Sequence, residues 1–295
     1  DTLTYCPAPG QKLTDAKTRV KRTLPPNFEL DDAWLRRLYQ IAISTNMTPF
    51  GVGICGTCLL HAFQIVAELQ TYYPGRPLTE GGYFFNTRLN DNPVRSFRVR
   101  YPELTGIVDA IHQRNMAPLY PGETDDQISA RIAAATAQVM LPRFHWALSE
   151  VSYGENAILG AIRELLRANP GAVWIGLITR QYPDGKRVRH AVPILRSMRG
   201  LIVMPTNTSI DFSRFTEEAS STMEIERVLF YLSRQGRATV TSFATLQLTR
   251  EIANPLSVVM SQRNCTGEGD ERRGNGQFPR SFLVSQCLSG RCTIQ

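Results

Sequence analysis

The feature that most constrains the fold is a change of hydrophobic pattern near residue 172 of this 295-residue chain. Before that point, apolar residues recur at the three- and four-residue spacing that is typical of amphipathic helices. After it, short runs rich in Val, Ile and Leu are separated by turns such as "YPDG", which is typical of strands. The order of the two patterns predicts an α+β fold, with a mainly helical part first and a mainly β part second.

The same patterns predict individual elements and their grouping. Helices are predicted at 31–44, 58–73, 125–140, 156–171 and 222–236, and strands at 172–179, 186–195, 200–205 and 238–249. We expect the chain to divide into an extended lead-in at 1–30, a helical lobe at 31–170, a β-rich lobe at 171–260 and a tail loop at 261–295.

Composition excludes two classes of partner. The net charge is +7, but the basic residues are scattered and are not interleaved with aromatic residues as they are in nucleic-acid-binding modules. No apolar run approaches the length of about 18 residues that a membrane span needs. We therefore expect neither a nucleic-acid partner nor a membrane partner.

The six cysteines are concentrated near the ends of the chain, at positions 6, 55, 58, 265, 287 and 292. Such a distribution favours disulfides that tie the termini, and so a secreted, extracellular or periplasmic protein. Reduced, buried thiols in a cytosolic protein are the alternative. We expect Cys265 to pair with Cys287 or Cys292, and Cys6 to pair with Cys55 or the tail; one cysteine other than Cys58 is then left over.

The stretch "GICGTC" at 53–58 allows several kinds of chemistry. A zinc site needs a second pair of ligands and a thioredoxin-like redox site needs a βαβ unit, and neither is visible nearby. Cys58 opens a predicted helix, whose positive N-terminal end is expected to lower the pKa of the thiol. We predict that Cys58 is a nucleophile that works without a metal or cofactor; a disulfide with Cys55 or a buried thiol is the alternative.

Four short motifs resemble those of the papain family of cysteine peptidases, in the same order. They are "GICGTC" at 53–58, "EGGYFF" at 80–85, "RHAVPIL" at 189–195 and "MPTNTS" at 204–209. The resemblance covers roughly residues 45–210. It implies a two-lobed papain-like fold, with a helical N-terminal lobe and a C-terminal lobe that is an antiparallel, barrel-like β-structure.

The resemblance also implies roles for individual residues. Cys58 corresponds to the nucleophile, His190 to the general base 132 residues later, and Asn207 to the residue that orients the imidazole, 149 residues after Cys58. The glycine-pair motif corresponds to the substrate cleft and contains Gly81, Gly82 and Tyr83.

Several positions depart from the family pattern. Val52 stands where the family has the glutamine that stabilises the oxyanion, and Asn46 is the candidate replacement. Cys55 lacks its usual partner before the glycine pair. Asp211 is the alternative residue for orienting the imidazole, and His61 is expected to be a packing or surface residue. These departures indicate a divergent member of the family. Asn207-Thr-Ser is a formal glycosylation triplet at the proposed site, where a glycan would be intolerable, so we expect a bacterial secreted protein.

The function expected from this resemblance is that of a secreted thiol peptidase. It would hydrolyse a peptide or protein substrate through a Cys-His-Asn triad and an acyl-enzyme. A deamidase or transglutaminase-like effector that modifies one protein would use the same triad. A binding protein that keeps the fold with weakened catalysis is the third possibility.

Overall fold

The structure, a computed structural model, has helices packed on both faces of one antiparallel sheet. It describes residues 24–45, 56–70, 72–79, 92–141 and 144–251. The helices are α1 Asp32–Ile43, α2 Thr57–Leu69, α3 Pro93–Arg100, α4 Pro102–Asn115, α5 Asp125–Met140, α6 Glu155–Leu166, α7 Phe212–Glu218 and α8 Ile225–Leu232. The strands are β1 Phe144–Leu148, β2 Ser152–Tyr153, β3 Val173–Gln181, β4 Arg187–Ser197, β5 Gly200–Val203 and β6 Thr239–Glu251. The lead-in and the tail that the sequence predicts lie almost entirely outside the described residues.

The sheet confirms the α+β class but not a barrel. Its strands follow the order β1-β6-β3-β4-β5, and β2 pairs with β6 as well. Within the part of the chain that the structure describes, β1 and β5 end this order and do not pair with each other, so the sheet is open. The prediction of a barrel-like lobe is therefore wrong. Helices cover both faces, so the sheet buries its apolar side chains against them instead of closing on itself.

Alternation along β3 and β4 sends side chains into two hydrophobic cores. On one face, Ile175 and Leu195 pack with α1, α2 and α5. On the other face, Trp174 and Ile194 pack with α6 and α8. Because strand side chains point alternately to opposite faces, these nearly continuous apolar strands fill both cores. The sheet draws strands from both sides of residue 170, since β1 and β2 pair with β6.

Helix α2 is buried on almost every side and packs against β4. A helix that is apolar all round lies in a core rather than on a surface. Its one buried carboxylate, Glu68, accepts two hydrogen bonds from Arg37 of α1, at 2.6 and 2.9 Å. This ion pair is nearly fully buried and joins α1 to α2. The helix that carries Cys58 is therefore fixed between α1 and the sheet.

The predicted helices near 31, 58, 125, 156 and 222 correspond to α1, α2, α5, α6 and α8. The sequence analysis did not identify α3, α4, α7, β1 or β2. None of the helices in the described ranges is long and apolar enough to cross a membrane.

A glycine fixes the turn between β4 and β5. Gly200 has a φ of 135°, and a Cβ there would lie 2.2 Å from the carbonyl oxygen of Thr222. That carbonyl accepts a hydrogen bond from the Leu201 amide, while the Thr222 amide donates to Leu201. The backbone cannot easily move away, since both hydrogen bonds would be lost.

We expect Gly200→Ala to lower the free energy of unfolding by about 3 kcal/mol, from the steric clash and the strained φ together. The matched control is Gly185→Ala in the β3–β4 turn, where φ is 84° but a Cβ meets nothing within 4 Å. This control should lose only about 1 kcal/mol, from backbone strain alone. Equal losses in urea denaturation would show that the contact with Thr222 is not important.

Candidate active site

Cys58 lies in the first turn of α2. The helix begins at Thr57, after Gly56, which has no side chain to cap it. The backbone amides of Cys58 and Leu59 are close enough to act on the Cys58 sulfur. Cys58 is a free thiol and is half-buried, so the structure does not contain a Cys55–Cys58 disulfide.

The sulfur of Cys58 also meets the edge of β4. The backbone amide of Ala191 is close enough to the sulfur to act to lower the pKa of the thiol. His190 is the preceding residue on β4 and lies opposite Ile178 of β3. The packing of α2 against β4 thus brings the predicted nucleophile beside the strand that carries the predicted base.

Thr206 is the residue that contacts the imidazole of His190. Its Oγ1 donates to the carbonyl of Ala191 at 2.6 Å and lies 3.2 Å from Nε2 of His190. A hydroxyl has a single proton, so an Oγ1 that donates to Ala191 can only accept from His190. The neutral imidazole therefore carries its proton on Nε2, and Nδ1 is left with a free lone pair.

Asn207 makes different contacts from those that the family resemblance implies. Its side-chain oxygen accepts a hydrogen bond from Thr45 at 2.9 Å, and its backbone amide donates to Nδ1 of His61 at 2.9 Å. Its backbone is left-handed, with a φ of 45°. The imidazole of His190 is thus held by Thr206 and not by Asn207. Asp211, the alternative, caps α7 by accepting from the Arg214 amide.

His61 is fully buried and connects three segments, in agreement with its predicted packing role. Because the Asn207 amide donates to Nδ1, the proton of the neutral ring is on Nε2. Nε2 lies 3.2 Å from Oγ of Ser44 and 3.4 Å from Oγ1 of Thr45, and both hydroxyls donate elsewhere. Burial lowers the pKa of His61 to about 3, so the ring stays neutral.

Burial also decides the charge state of the candidate pair. It raises the pKa of the Cys58 thiol, although the Ala191 amide and the charge of Arg180 act in the opposite direction. It holds the pKa of His190 well below 6.5, and Arg180 and His61 add to that effect. The two groups are therefore a neutral thiol and a neutral imidazole. The lowered thiol pKa that the helix N-terminus predicts is overturned by desolvation.

Several predicted residues lie outside the described ranges. They are the cleft residues Gly81, Gly82 and Tyr83, the oxyanion positions Asn46 and Val52, and the cysteines Cys6, Cys55, Cys265, Cys287 and Cys292. In the described ranges, no group of three or more His, Cys, Asp or Glu residues could hold a metal ion.

Sequence reasoning missed two residues of the site, Thr206 and Arg180. Thr206 stands next to Asn207 in "MPTNTS", and no sequence pattern tells which of the two faces His190. Arg180 lies on β3, and its place near Cys58 depends on the pairing of β3 with β4. The motif order was informative for the helix and the strands, but not for these side chains.

Comparison with known proteins gives a family but no activity. A family model whose description is "Protein of unknown function (DUF1561)" matches residues 1–293. No curated protein matches the sequence. Among solved structures, the chain is similar to the Pseudomonas avirulence protein AvrPphB, with 7% identity and a TM-score of 0.36 over 68% of this chain and 98% of that chain. A likeness at this level carries no argument about fold or activity.

We expect alkylation of Cys58 by iodoacetamide to accelerate with pH up to and beyond pH 9, the ordinary pKa of a thiol, because burial raises the pKa of Cys58. Peptide mass spectrometry after timed labelling measures the rate at this cysteine alone. His190→Ala should leave the pH profile unshifted, since a neutral imidazole does not stabilise the thiolate. A plateau of the rate below pH 7 would instead demonstrate a thiolate–imidazolium pair.

The buried His61 should make stability depend on pH. Its pKa is about 3 in the folded protein and 6.5 in the unfolded chain, so between these values only the unfolded state binds the proton. The stabilisation is present above pH 6.5 and is lost as the pH falls toward 3.

From pH 7 to pH 5 the wild type should lose about 2 kcal/mol more unfolding free energy than His61→Gln, which cannot titrate. Urea denaturation at both pH values measures the difference. The comparison is independent of any constant destabilisation that the substitution causes. Equal losses in the two proteins would show that His61 already binds a proton in the folded state.

Proposed function

This chain belongs to the family whose description is "Protein of unknown function (DUF1561)", and we propose that it is a hydrolase with Cys58 as nucleophile and His190 as general base. The observation that carries the proposal is the packing of α2 against β4, which places the Cys58 sulfur close to the Ala191 amide, one residue from His190. Thr206 supplies the third part, a group that fixes the imidazole. A nucleophile, a base and a residue that orients the base are the parts of a cysteine acyl-transfer site.

The first step is general-base activation of a neutral thiol. Thr206 accepts from Nε2–H of His190, so Nδ1 is the nitrogen that can take the thiol proton. As that proton moves, the sulfur attacks the acyl carbon of the substrate and the imidazole becomes positively charged. The buried environment disfavours charge before the substrate binds, so thiolate forms only as the carbon–sulfur bond forms.

The N-terminus of α2 is suited to stabilise the oxyanion that results. The amide of Cys58 itself lies there, and amides in the first turn of a helix have no partner within the helix. When the tetrahedral intermediate collapses, the imidazolium gives its proton to the leaving amine. A water molecule then attacks the thioester, and its hydrolysis releases the acid and regenerates the thiol.

The substrate in this proposal is a peptide or a protein. Gly81, Gly82 and Tyr83 would border the cleft, as the resemblance to the papain family implies. Deamidation of a glutamine side chain would use the same steps, with ammonia as the leaving amine. Secretion of the enzyme is part of the same proposal and is supported by the distribution of the cysteines.

We expect Cys58→Ala and His190→Ala each to reduce hydrolysis of a fluorogenic peptide at least about 1,000-fold, because nucleophile and base act as a unit. Thr206→Val should lower kcat about 10- to 100-fold with little change in KM, because the imidazole loses its orienting acceptor. Thr206→Ser, which keeps the hydroxyl, should restore most of the activity.

His112→Ala on α4 is the control and should retain full activity. Folding of each variant is checked by thermal denaturation. A peptide-cleaving activity that survives Cys58→Ala contradicts the proposal. A mass increase of a target protein that corresponds to deamidation, without cleavage, assigns the same site to the alternative reaction.

A further inference from the structure

Arg180 is a buried cation that has no carboxylate partner among the described residues. Its side chain is only 9% exposed. Its Nε donates to the carbonyl of Leu232 at 2.7 Å, and the Tyr182 hydroxyl is close to it. Across the described ranges, no Asp or Glu lies within ion-pair distance of the guanidinium. Since a buried charge without a counter-charge is costly, such a group is typical of a place where a ligand supplies the opposite charge.

Arg180 lies beside the two groups of the candidate site. His190 is opposite Ile178, and Arg180 is two residues further along β3, so it lies on the same face of the sheet as His190 and diagonally across from it. Burial is the main influence on the pKa of both Cys58 and His190, and the positive charge of Arg180 acts to lower both. The guanidinium is thus close to the nucleophile and to the base.

A second arginine adds positive charge to the same place. Arg234 donates from Nη1 to the Tyr182 hydroxyl at 3.2 Å, and its charge acts on His190. Arg234 and Gln235 have φ values of 57° and 56°, and Gly236 follows with 77°. Two consecutive left-handed residues other than glycine cost about 1–2 kcal/mol each. Strain of this kind is often kept where it positions a functional side chain.

Among the described residues, Arg180 acts on the acid Glu218 without forming an ion pair with it. Glu218 of α7 has its pKa raised by burial, and Arg214 and Arg180 act to lower it. Its Oε1 accepts from Gln235 at 2.7 Å and lies 3.5 Å from Nε of Arg214. Gln235 and Arg214 therefore hold the Glu218 carboxylate, which is close enough to Arg180 for the two charges to interact but does not form an ion pair with it.

We infer that Arg180 and Arg234 form a subsite for a carboxylate of the substrate, next to the bond that Cys58 attacks. A guanidinium binds a carboxylate through two parallel hydrogen bonds, which gives both affinity and orientation. The carboxylate is either an acidic side chain or a free chain terminus. This inference rests on the proposed function for the substrate, but the presence of the anion subsite does not depend on turnover.

The first experiment compares two alkylating reagents at Cys58, the anionic iodoacetate and the neutral iodoacetamide. At pH 8 the ratio of their rate constants, iodoacetate over iodoacetamide, should be about tenfold higher in the wild type than in Arg180→Gln. Arg234→Gln should also lower this ratio relative to the wild type. Arg180→Lys keeps the charge and should keep most of the ratio.

The matched control is Arg189→Gln. Arg189 immediately precedes His190, and its substitution removes the same positive charge. Unlike Arg180, Arg189 is exposed, lies on the other face of the strand and pairs with Asp126 at 3.4 Å. Its ratio should equal that of the wild type. If Arg180→Gln fails to fold, Arg234→Gln decides. An unchanged ratio in the folded variants overturns the anion subsite, whether or not the protein hydrolyses peptides.

The second experiment distinguishes the two sources of the carboxylate. One peptide has an internal glutamate and blocked ends, and the other has neutral side chains and a free C-terminus. Each is tested for protection of Cys58 against iodoacetamide. For one of the two peptides, protection of Cys58 against iodoacetamide should be at least about tenfold stronger in the wild type than in Arg180→Gln. Protection by neither peptide overturns the assignment to a substrate, and hydrolysis by Cys58 is then judged on its own test.

Discussion

The segment of residues 204–208, between β5 and α7, holds the candidate site together. The Met204 amide donates to the carbonyl of Pro193 on β4, and the Thr206 side chain contacts Ala191 and His190 of the same strand. The Asn207 amide donates to His61 of α2, and the Thr208 amide donates to the carbonyl of Ala42 on α1. Five consecutive residues thus join the strand of the proposed base, the helix of the proposed nucleophile and the helix behind it. Because these partners are buried, the cost of breaking the hydrogen bonds is high, and the relative position of Cys58 and His190 is correspondingly fixed.

Electrostatics at the site follow from the same burial. Desolvation keeps His61, His190 and Cys58 uncharged, and the charge of Arg180 acts on both His190 and Cys58. A positive guanidinium opposes protonation of His190 and favours a thiolate at Cys58. A carboxylate bound at Arg180 would therefore ease formation of the imidazolium during the reaction. Substrate recognition and activation of the base would then be coupled through one arginine.

The sequence was a good guide to elements with strong patterns and a poor guide to individual contacts. The apolar run of α2 and the β-rich run of β4 made both elements predictable, and motif order paired Cys58 with His190. Helices α3 and α4 were missed because "PVRSFRVR" and "PELTGIVDAIHQRN" bury few apolar residues; each begins with a proline, a residue that fits the first helical turn. Thr206 was missed because no local pattern shows that it, and not Asn207, contacts His190, and Arg180 was missed because its position depends on strand register. Both contacts depend on tertiary structure, which local sequence patterns do not encode.

The raised pKa of Cys58 has a consequence for the durability of the protein. Peroxide and disulfide reagents attack the thiolate form, so a thiol that burial keeps protonated oxidises slowly. For the nucleophile proposed here, this protonation would limit oxidation between turnovers compared with a resting thiolate.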